Sequence, residues 1–266
     1  MFFIDAHCHI NSKQLRRDAS AVVSRAGQAG VRRMLTVGSN LPNSAEAVEL
    51  ATRYGDHGVY AAVGVHPHDA ATVADGLPAE LLKLAGSRSV VAIGETGLDY
   101  YRDLSPRAVQ RDAFRMHVDW ALRVKKPLIV HVRNAERDTL AMDDSLALLD
   151  GFPEKPVLMF HCYAGGLKYL DAMKKLDAYI SIAGSVTWGK NDELRAVASA
   201  VPAGRLLCET DSPWLSPQPK RGELNEPAYV RFVYETIAKE RGLSMDALAC
   251  IVDDNASRLF GWEPIF

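Results

Sequence analysis

The feature that most constrains this chain is an alternation that runs its whole length. Short apolar runs recur at Phe2–Ala6, Met34–Val37, Val59–Val65, Val90–Ile93, Leu128–Val130, Val157–Phe160, Ala178–Ile182 and Leu206–Cys208, and longer amphipathic stretches separate them. Most of the eight runs lack the polar alternation of a strand with one wet face. They read as strands buried on both faces, as in a parallel sheet covered by helices. The clearest helical stretch opens at Ser105-Pro106, an N-cap residue followed by proline at the first helical position. Val109, Ala113, Met116, Trp120 and Val124 mark its apolar stripe, and it stops before Pro127. A last helix, roughly 244–260, closes the chain.

Eight strand–helix repeats in 266 residues indicate an α/β fold. The expected architecture is a (β/α)8 TIM-type barrel, a single domain over 1–266, because such barrels take ~250 residues. A doubly wound open sheet is the alternative, but no Gly-x-Gly-x-x-Gly follows the first run. Residues 212–227 carry Pro213, Pro217, Pro219 and Pro227 and read as one long loop after the last strand, a wall for substrate. The net charge of −2 gives no broad positive field, so a nucleic acid would be held by a local site. The opening MFFIDAHCHINSKQ lacks the basic start and apolar core of a secretory signal, and no run nears the ~18 apolar residues of a membrane span. Cys8, Cys162, Cys208 and Cys250 show no C-x-x-C spacing. A reduced, cytoplasmic protein is expected, without membrane partners and monomeric.

In a barrel, active sites form at the C-terminal ends of the strands. His7 and His9 lie two residues apart there, so both imidazoles point the same way and can chelate one ion. His-x-His alone is a weak signal. Glu95 closes Val-Ala-Ile-Gly-Glu, His131 closes Leu-Ile-Val-His, His161 closes Leu-Met-Phe-His, and Asp211 closes Leu-Leu-Cys-Glu-Thr-Asp. Burying six such groups unpaired would cost several kcal/mol each, on the order of values for isolated polar groups. Together they exceed the ~3 protein ligands of a catalytic zinc. Two divalent ions bridged by Glu95 fit better, and such pairs activate water for hydrolysis. Glu95 and Asp211 are the catalytic candidates, with Asp211 placed to orient or deprotonate that water.

Other polar residues take supporting roles. His66 and His68, in Val-Gly-Val-His-Pro-His, reach the rim as substrate contacts or supports. Glu209 faces the same way as Asp211 and is expected to hydrogen-bond a ligand histidine. Arg133 is placed to meet an anionic group. Lys220 and Arg221 are weaker candidates for that role, and Tyr100 or Tyr101 for stacking on a base. Cys8 and Cys162, each offset by one residue from a ligand histidine, should point away as apolar fillers. His117 reads as a packed histidine and His57 as a turn residue. Neither a Walker loop nor a Gly-x-Ser-x-Gly elbow is present.

The motifs Ile-Asp-Ala-His-Cys-His, Val-Gly-Val-His-Pro-His, Ile-Gly-Glu-Thr-Gly-Leu-Asp-Tyr, Ile-Val-His-Val-Arg, His-Cys-Tyr-Ala-Gly and Glu-Thr-Asp-Ser-Pro-Trp resemble the TatD family of metal-dependent hydrolases. Arg-Gly-Glu-Leu-Asn-Glu-Pro and Asn-Ala-Ser-Arg-Leu-Phe extend the likeness, which runs in order from Asp5 to Phe260. The resemblance implies an amidohydrolase-type barrel. It assigns His7, His9, Glu95 and Asp211 to one ion, and Glu95, His131 and His161 to the other. It also implies a deoxyribonuclease, often acting from a 3′ end, with magnesium or another divalent ion. Tyr163-Ala164 departs from the family's more frequent Phe-Ser, and Glu223-Leu224 falls in a variable stretch. The same ions hydrolysing another ester or an amide, such as an aminoacyl-tRNA ester or a small molecule, is the alternative. A non-catalytic binding barrel is disfavoured by the intact ligand set. Four imidazoles suit zinc or manganese better than magnesium.

Overall fold

A computed structural model describes residues 1–263 and 265; the expected span of 1–266 also includes Pro264 and Phe266, which lie outside the described residues. Strands and helices alternate as β1 (Phe3–Cys8), α1 (Ala19–Gln28), β2 (Val31–Val37), α2 (Leu41–Arg53), β3 (Val59–Val63), α3 (Ala79–Leu84), β4 (Val90–Asp99) and α4 (Arg107–Val124). They continue as β5 (Leu128–Arg133), α5 (Leu140–Asp150), β6 (Leu158–Phe160), α6 (Leu170–Lys175), β7 (Tyr179–Ile182), α7 (Asp192–Ala200), β8 (Leu206–Cys208), α8 (Val230–Arg241) and α9 (Met245–Phe260). The strands pair in parallel in sequence order, β1 to β8. This is the (β/α)8 barrel expected from the alternation, and the core fills the layer between strands and helices around Phe114, Trp120, Phe160 and Tyr234. No helix among the described residues is long and apolar enough to cross a membrane.

The seam between β8 and β1 is closed at the C-terminal end of the barrel. The Asp211 amide donates to the His7 carbonyl (2.9 Å), and the His9 amide donates to the Ser212 carbonyl (2.7 Å). Below them Asp5 accepts from the Thr210 amide (2.8 Å) and hydroxyl (2.6 Å). The ends that carry ligand-type residues are therefore tied to each other by backbone and side chain.

Two local expectations need correction. β4 does not end near Glu95 but runs on to Asp99. Its polar, glycine-containing second half disguises it as a turn. The glycines are there for proximity: Gly97 sits at φ +140°, and a Cβ on it would fall 2.0 Å from the His131 carbonyl oxygen. Only a residue without a side chain lets β4 approach β5 so closely. The second correction concerns the start of α4. Pro106 is the residue flanking the helix, and Ser105 makes no cap bond. Its hydroxyl instead donates to the His68 carbonyl (2.9 Å) and accepts from the Ala71 amide (3.1 Å), pinning the loop after β3. The buried stripe of α4 is centred on Ala113, Phe114, His117, Val118, Trp120 and Ala121, with Val109, Met116 and Val124 on its margin. The last helix is capped as its sequence requires, by Ser244 accepting from the Ala247 amide (3.1 Å).

His117 is the packed histidine expected. Its Nε2 accepts from the Val65 amide (3.0 Å) and its Nδ1 donates to the Ala113 carbonyl (2.7 Å). Burial, partly offset by the bond to Ala113, pushes its pKa down from 6.5 to about 4. As pH falls, the unfolded chain therefore takes up this proton first. The contribution to stability is full above pH 6.5 and is lost as pH drops toward 4. A His117→Gln variant is expected to melt ~4–8 °C lower at pH 7.5, from about 2 kcal/mol of lost buried hydrogen bonding. Calorimetry should also show a shallower fall in its melting temperature between pH 6.5 and 4 than in the parent protein.

Candidate metal centre

The six ligand-type residues singled out above come from five strands or the residues just past them and meet at the C-terminal end of the barrel. His7 Nε2 and His9 Nε2 are 3.0 Å apart. Glu95 Oε1 lies 3.5 Å from His9 Nε2, and Glu95 Oε2 lies 3.7 Å from His7 Nε2. Asp211 Oδ1 is 3.5 Å from His9 Nε2 and 3.8 Å from His7 Nε2. On the other side, His161 Nε2 is 2.9 Å from Glu95 Oε2 and 3.1 Å from His131 Nδ1, which is itself 3.8 Å from Glu95 Oε2. Donors held ~2.0–2.2 Å from a common ion in tetrahedral geometry sit ~3.3–3.6 Å apart. The observed spacings, 2.9 to 3.8 Å, lie within a few tenths of an ångström of that range. The two groups abut, since the His7 ring stacks flat on His161 at 3.9 Å.

The outer nitrogens decide which lone pairs face inward. His9 Nδ1 donates to the Val37 carbonyl (2.9 Å), leaving Nε2 as the acceptor. His131 turns Nε2 to Asp99 (3.2 Å), leaving Nδ1 toward Glu95. His161 turns Nδ1 toward Glu209 (3.5 Å). The imidazoles of His9 and His131, each backed by an acceptor, show the pattern of metal-binding histidines. His7 Nδ1 and His161 Nδ1 are buried without a hydrogen-bond partner.

Electrostatics point the same way. Burial alone would raise the Glu95 carboxyl, but His66, His161 and His9 around it hold it well below the usual carboxylate range. Burial would lower His161, yet Glu95 and Glu209 draw its pKa well above 6.5. His9 is raised too, by Glu95 and Asp211 against its burial. A buried carboxylate that pulls protons onto its imidazoles is asking for positive charge. Lone-pair nitrogens, carboxylate oxygens and spacing thus fit a divalent cation.

The supporting residues sort clearly. Glu209 is buried and accepts from the Cys162 amide (2.8 Å) while facing His161. His66 accepts from the His68 amide (3.1 Å), and its ring lies 4.4 Å from that of His131. Arg133 lies over the exposed Tyr101 ring at 4.0 Å and lines the cavity. Tyr100 is the packed member of the tyrosine pair, its hydroxyl bonded to Asp144 (2.6 Å). Lys220 pairs with Glu223 and Arg221 stacks on Trp188, and neither lines the cavity. Cys8 points away, to the Leu35 carbonyl, but Cys162 does not. β6 ends at Phe160, and Cys162 takes a left-handed φ of +43° that turns it into the cavity wall. Strand alternation fails because the strand has already ended.

Two carboxylates were missed. Asp99 accepts from both His131 (3.2 Å) and His68 (2.9 Å) and from the Tyr101 and Arg102 amides. Burial opposes its ionisation, but the bonds from His131 and His68 and the Arg102 amide hold it well below the usual range. Asp5 ties the seam beneath His7. Asp99 sits in Gly-Leu-Asp-Tyr, six residues past the apolar run of its strand, so strand-end counting passes over it; Asp5, two residues before His7 and therefore on its face, was findable by the same parity.

All this floors a cavity of about 960 Å³, walled by residues including His68, Arg102, Arg133, Trp188 and Trp214. That is the upper end of the ~300–1,000 Å³ range for ligand sites.

Residues 4–261 match the sequence profile of the TatD related DNase family. The chain is 36% identical over 96% of its length to the uncharacterized metal-dependent hydrolase YabD of Bacillus subtilis, covering 98% of that protein. It is 36% identical to the 3'-5' ssDNA/RNA exonuclease TatD of Edwardsiella piscicida, over 97% of this chain and 98% of that one. Its structure is similar to YJJV, a TatD homologue from Escherichia coli, with a TM-score of 0.85 and 26% identity over 98% of each chain. The fold, the order of the motifs and a match across nearly the full length lead to one conclusion: the chain belongs to the TatD-related DNase family of metal-dependent hydrolases.

Proposed function

We propose that this protein hydrolyses phosphodiester bonds of single-stranded DNA from the 3′ end, with two divalent ions sharing Glu95. The observation that carries the proposal is the convergence of four imidazoles and two carboxylates into two abutting donor groups. His7, His9, Glu95 and Asp211 would hold one ion, and Glu95, His131 and His161 the other. Glu95 would serve both donor groups, since its Oε1 faces His9 while its Oε2 faces His161. Four imidazoles among the six favour zinc or manganese, with magnesium the weaker fit. When bound, such a pair lowers the pKa of a coordinated water and neutralises charge on the phosphoryl oxygens. The relatives named as ssDNA/RNA exonucleases support the nucleic acid substrate.

The chain's own residues do the rest. Asp211 is the member of the first donor group that follows β8, and it lines the cavity beside His9, so its carboxylate would orient the attacking water and take its proton. Its left-handed φ of +53° is uncommon for a residue with a side chain and turns the carboxylate inward just past the end of β8. Asp99 fixes the orientation and tautomer of His131, and the Glu209 carboxylate stands 3.5 Å from the outer nitrogen of His161. Arg133, held against Tyr101, meets a substrate phosphate, and His66 backs the wall beside His131. On a chain of net charge −2, this local cation replaces a basic surface.

Two outcomes are expected. Glu95→Ala should lose more than about 100-fold of the metal-stimulated activity on labelled single-stranded DNA, above the ~10–100-fold typical of supporting residues. Equal residual activity in parent and variant would remove the chemistry from this site, and assays on acyl esters and amides would then identify the bond cleaved. Asp99→Asn should weaken binding of a divalent ion ~10–100-fold in calorimetric titration run well below the melting temperature of the ion-free variant, where circular dichroism shows it folded. Unaltered affinity would show that Asp99 does not position His131 for an ion.

A further inference from the structure

Trp214 is half exposed, at 50%, yet it stands on the cavity wall with its ring edge-on to His9 at 5.0 Å. A large apolar ring in water beside an ionic cluster does nothing for folding. Its loop, however, is held in place at several points. The Trp214 amide donates to the Asp211 carbonyl (3.0 Å), and Asn225 Nδ2 donates to the carbonyls of Trp214 (2.6 Å) and Thr210 (2.9 Å). Trp188 Nε1 donates to the Ser216 carbonyl (2.9 Å). The Leu215 carbonyl packs where a Cβ on Gly184 would fall 2.2 Å from it. A rigid, exposed indole next to a reactive centre is a surface ready to accept a flat partner without a further ordering cost.

On these grounds we propose that Trp214 is the platform on which the base of the 3′-terminal nucleotide stacks when its phosphodiester lies over the His9–Glu95–Asp211 group. The proposal deepens the nuclease assignment and rests on it for the identity of the partner. Stacking is tolerant of sequence because every base has a π face, so the site reads the presence of a base and not its identity. It sets Trp214, in the loop after β8, apart from Arg133 at the end of β5, which addresses phosphate.

The test uses the full chain and short single-stranded oligonucleotides that differ only at the 3′ terminus, one bearing a base and one a tetrahydrofuran abasic residue. The parent protein is expected to prefer the base-bearing end by roughly tenfold in KM. Trp214→Ala should lose that preference with a KM near the abasic value, and Trp214→Phe should keep most of it. A Trp214→Ala protein that still discriminates like the parent overturns the proposal. So does a Trp214→Phe protein as indifferent as Trp214→Ala, because an aromatic ring would then not suffice. Anisotropy titrations of the same labelled oligonucleotides in EDTA read the preference without cleavage. Base-dependent binding that follows the ring at position 214, with no hydrolysis when ions are added, supports the platform and refutes the nuclease assignment. Hydrolysis with no base-dependence in either measurement does the reverse.

Discussion

The Glu95 carboxylate is buried in the centre of the molecule, with imidazole nitrogens on both sides and no arginine or lysine paired to it among the described residues. An anion taken out of water at that depth is tolerated only if positive charge is brought to it. Much of the rest of the site follows from this need. His9 and His161 are drawn toward protonation, and the outer nitrogens of His9 and His131 are backed by Val37 and Asp99. A pair of divalent cations satisfies the same demand with higher charge and fixed donor geometry.

A barrel suits this demand because it delivers side chains from strands far apart in sequence to one point. The seam matters most. His7, His9 and Asp211 come from opposite ends of the chain, and they meet because β1 and the end of β8 exchange backbone hydrogen bonds at their level. Asp5 and Thr210 reinforce the join one layer below. On the other side of the site, Gly97 lets β4 press against β5, which brings Asp99 under His131. Closure and close approach are thus conditions for the donor spacing.

The alternation of apolar runs and amphipathic stretches was enough for the fold, since strand count, chain length and helix spacing converge on one closed sheet. Residue type and position late in a strand or just past it singled out His7, His9, Glu95, His131, His161 and Asp211, and the structure brings these six side chains together. Parity along a strand placed Glu209 beside a histidine. Parity misplaced Cys162, where the strand stops two residues early and the backbone turns left-handed. Composition hid Asp99, because a strand that must pass close to its neighbour carries glycines and looks like a turn.

Periodicity and residue type are local properties, and they already define the barrel and the chemical character of its rim. Only the tertiary structure decided which nitrogen of each histidine faces inward, that Asp99 serves two histidines at once, and that Trp214 stands exposed beside His9. Those outcomes depend on contacts between segments up to about two hundred residues apart, and hydrogen-bond direction and exposure are set by whatever the folded chain places next to a group.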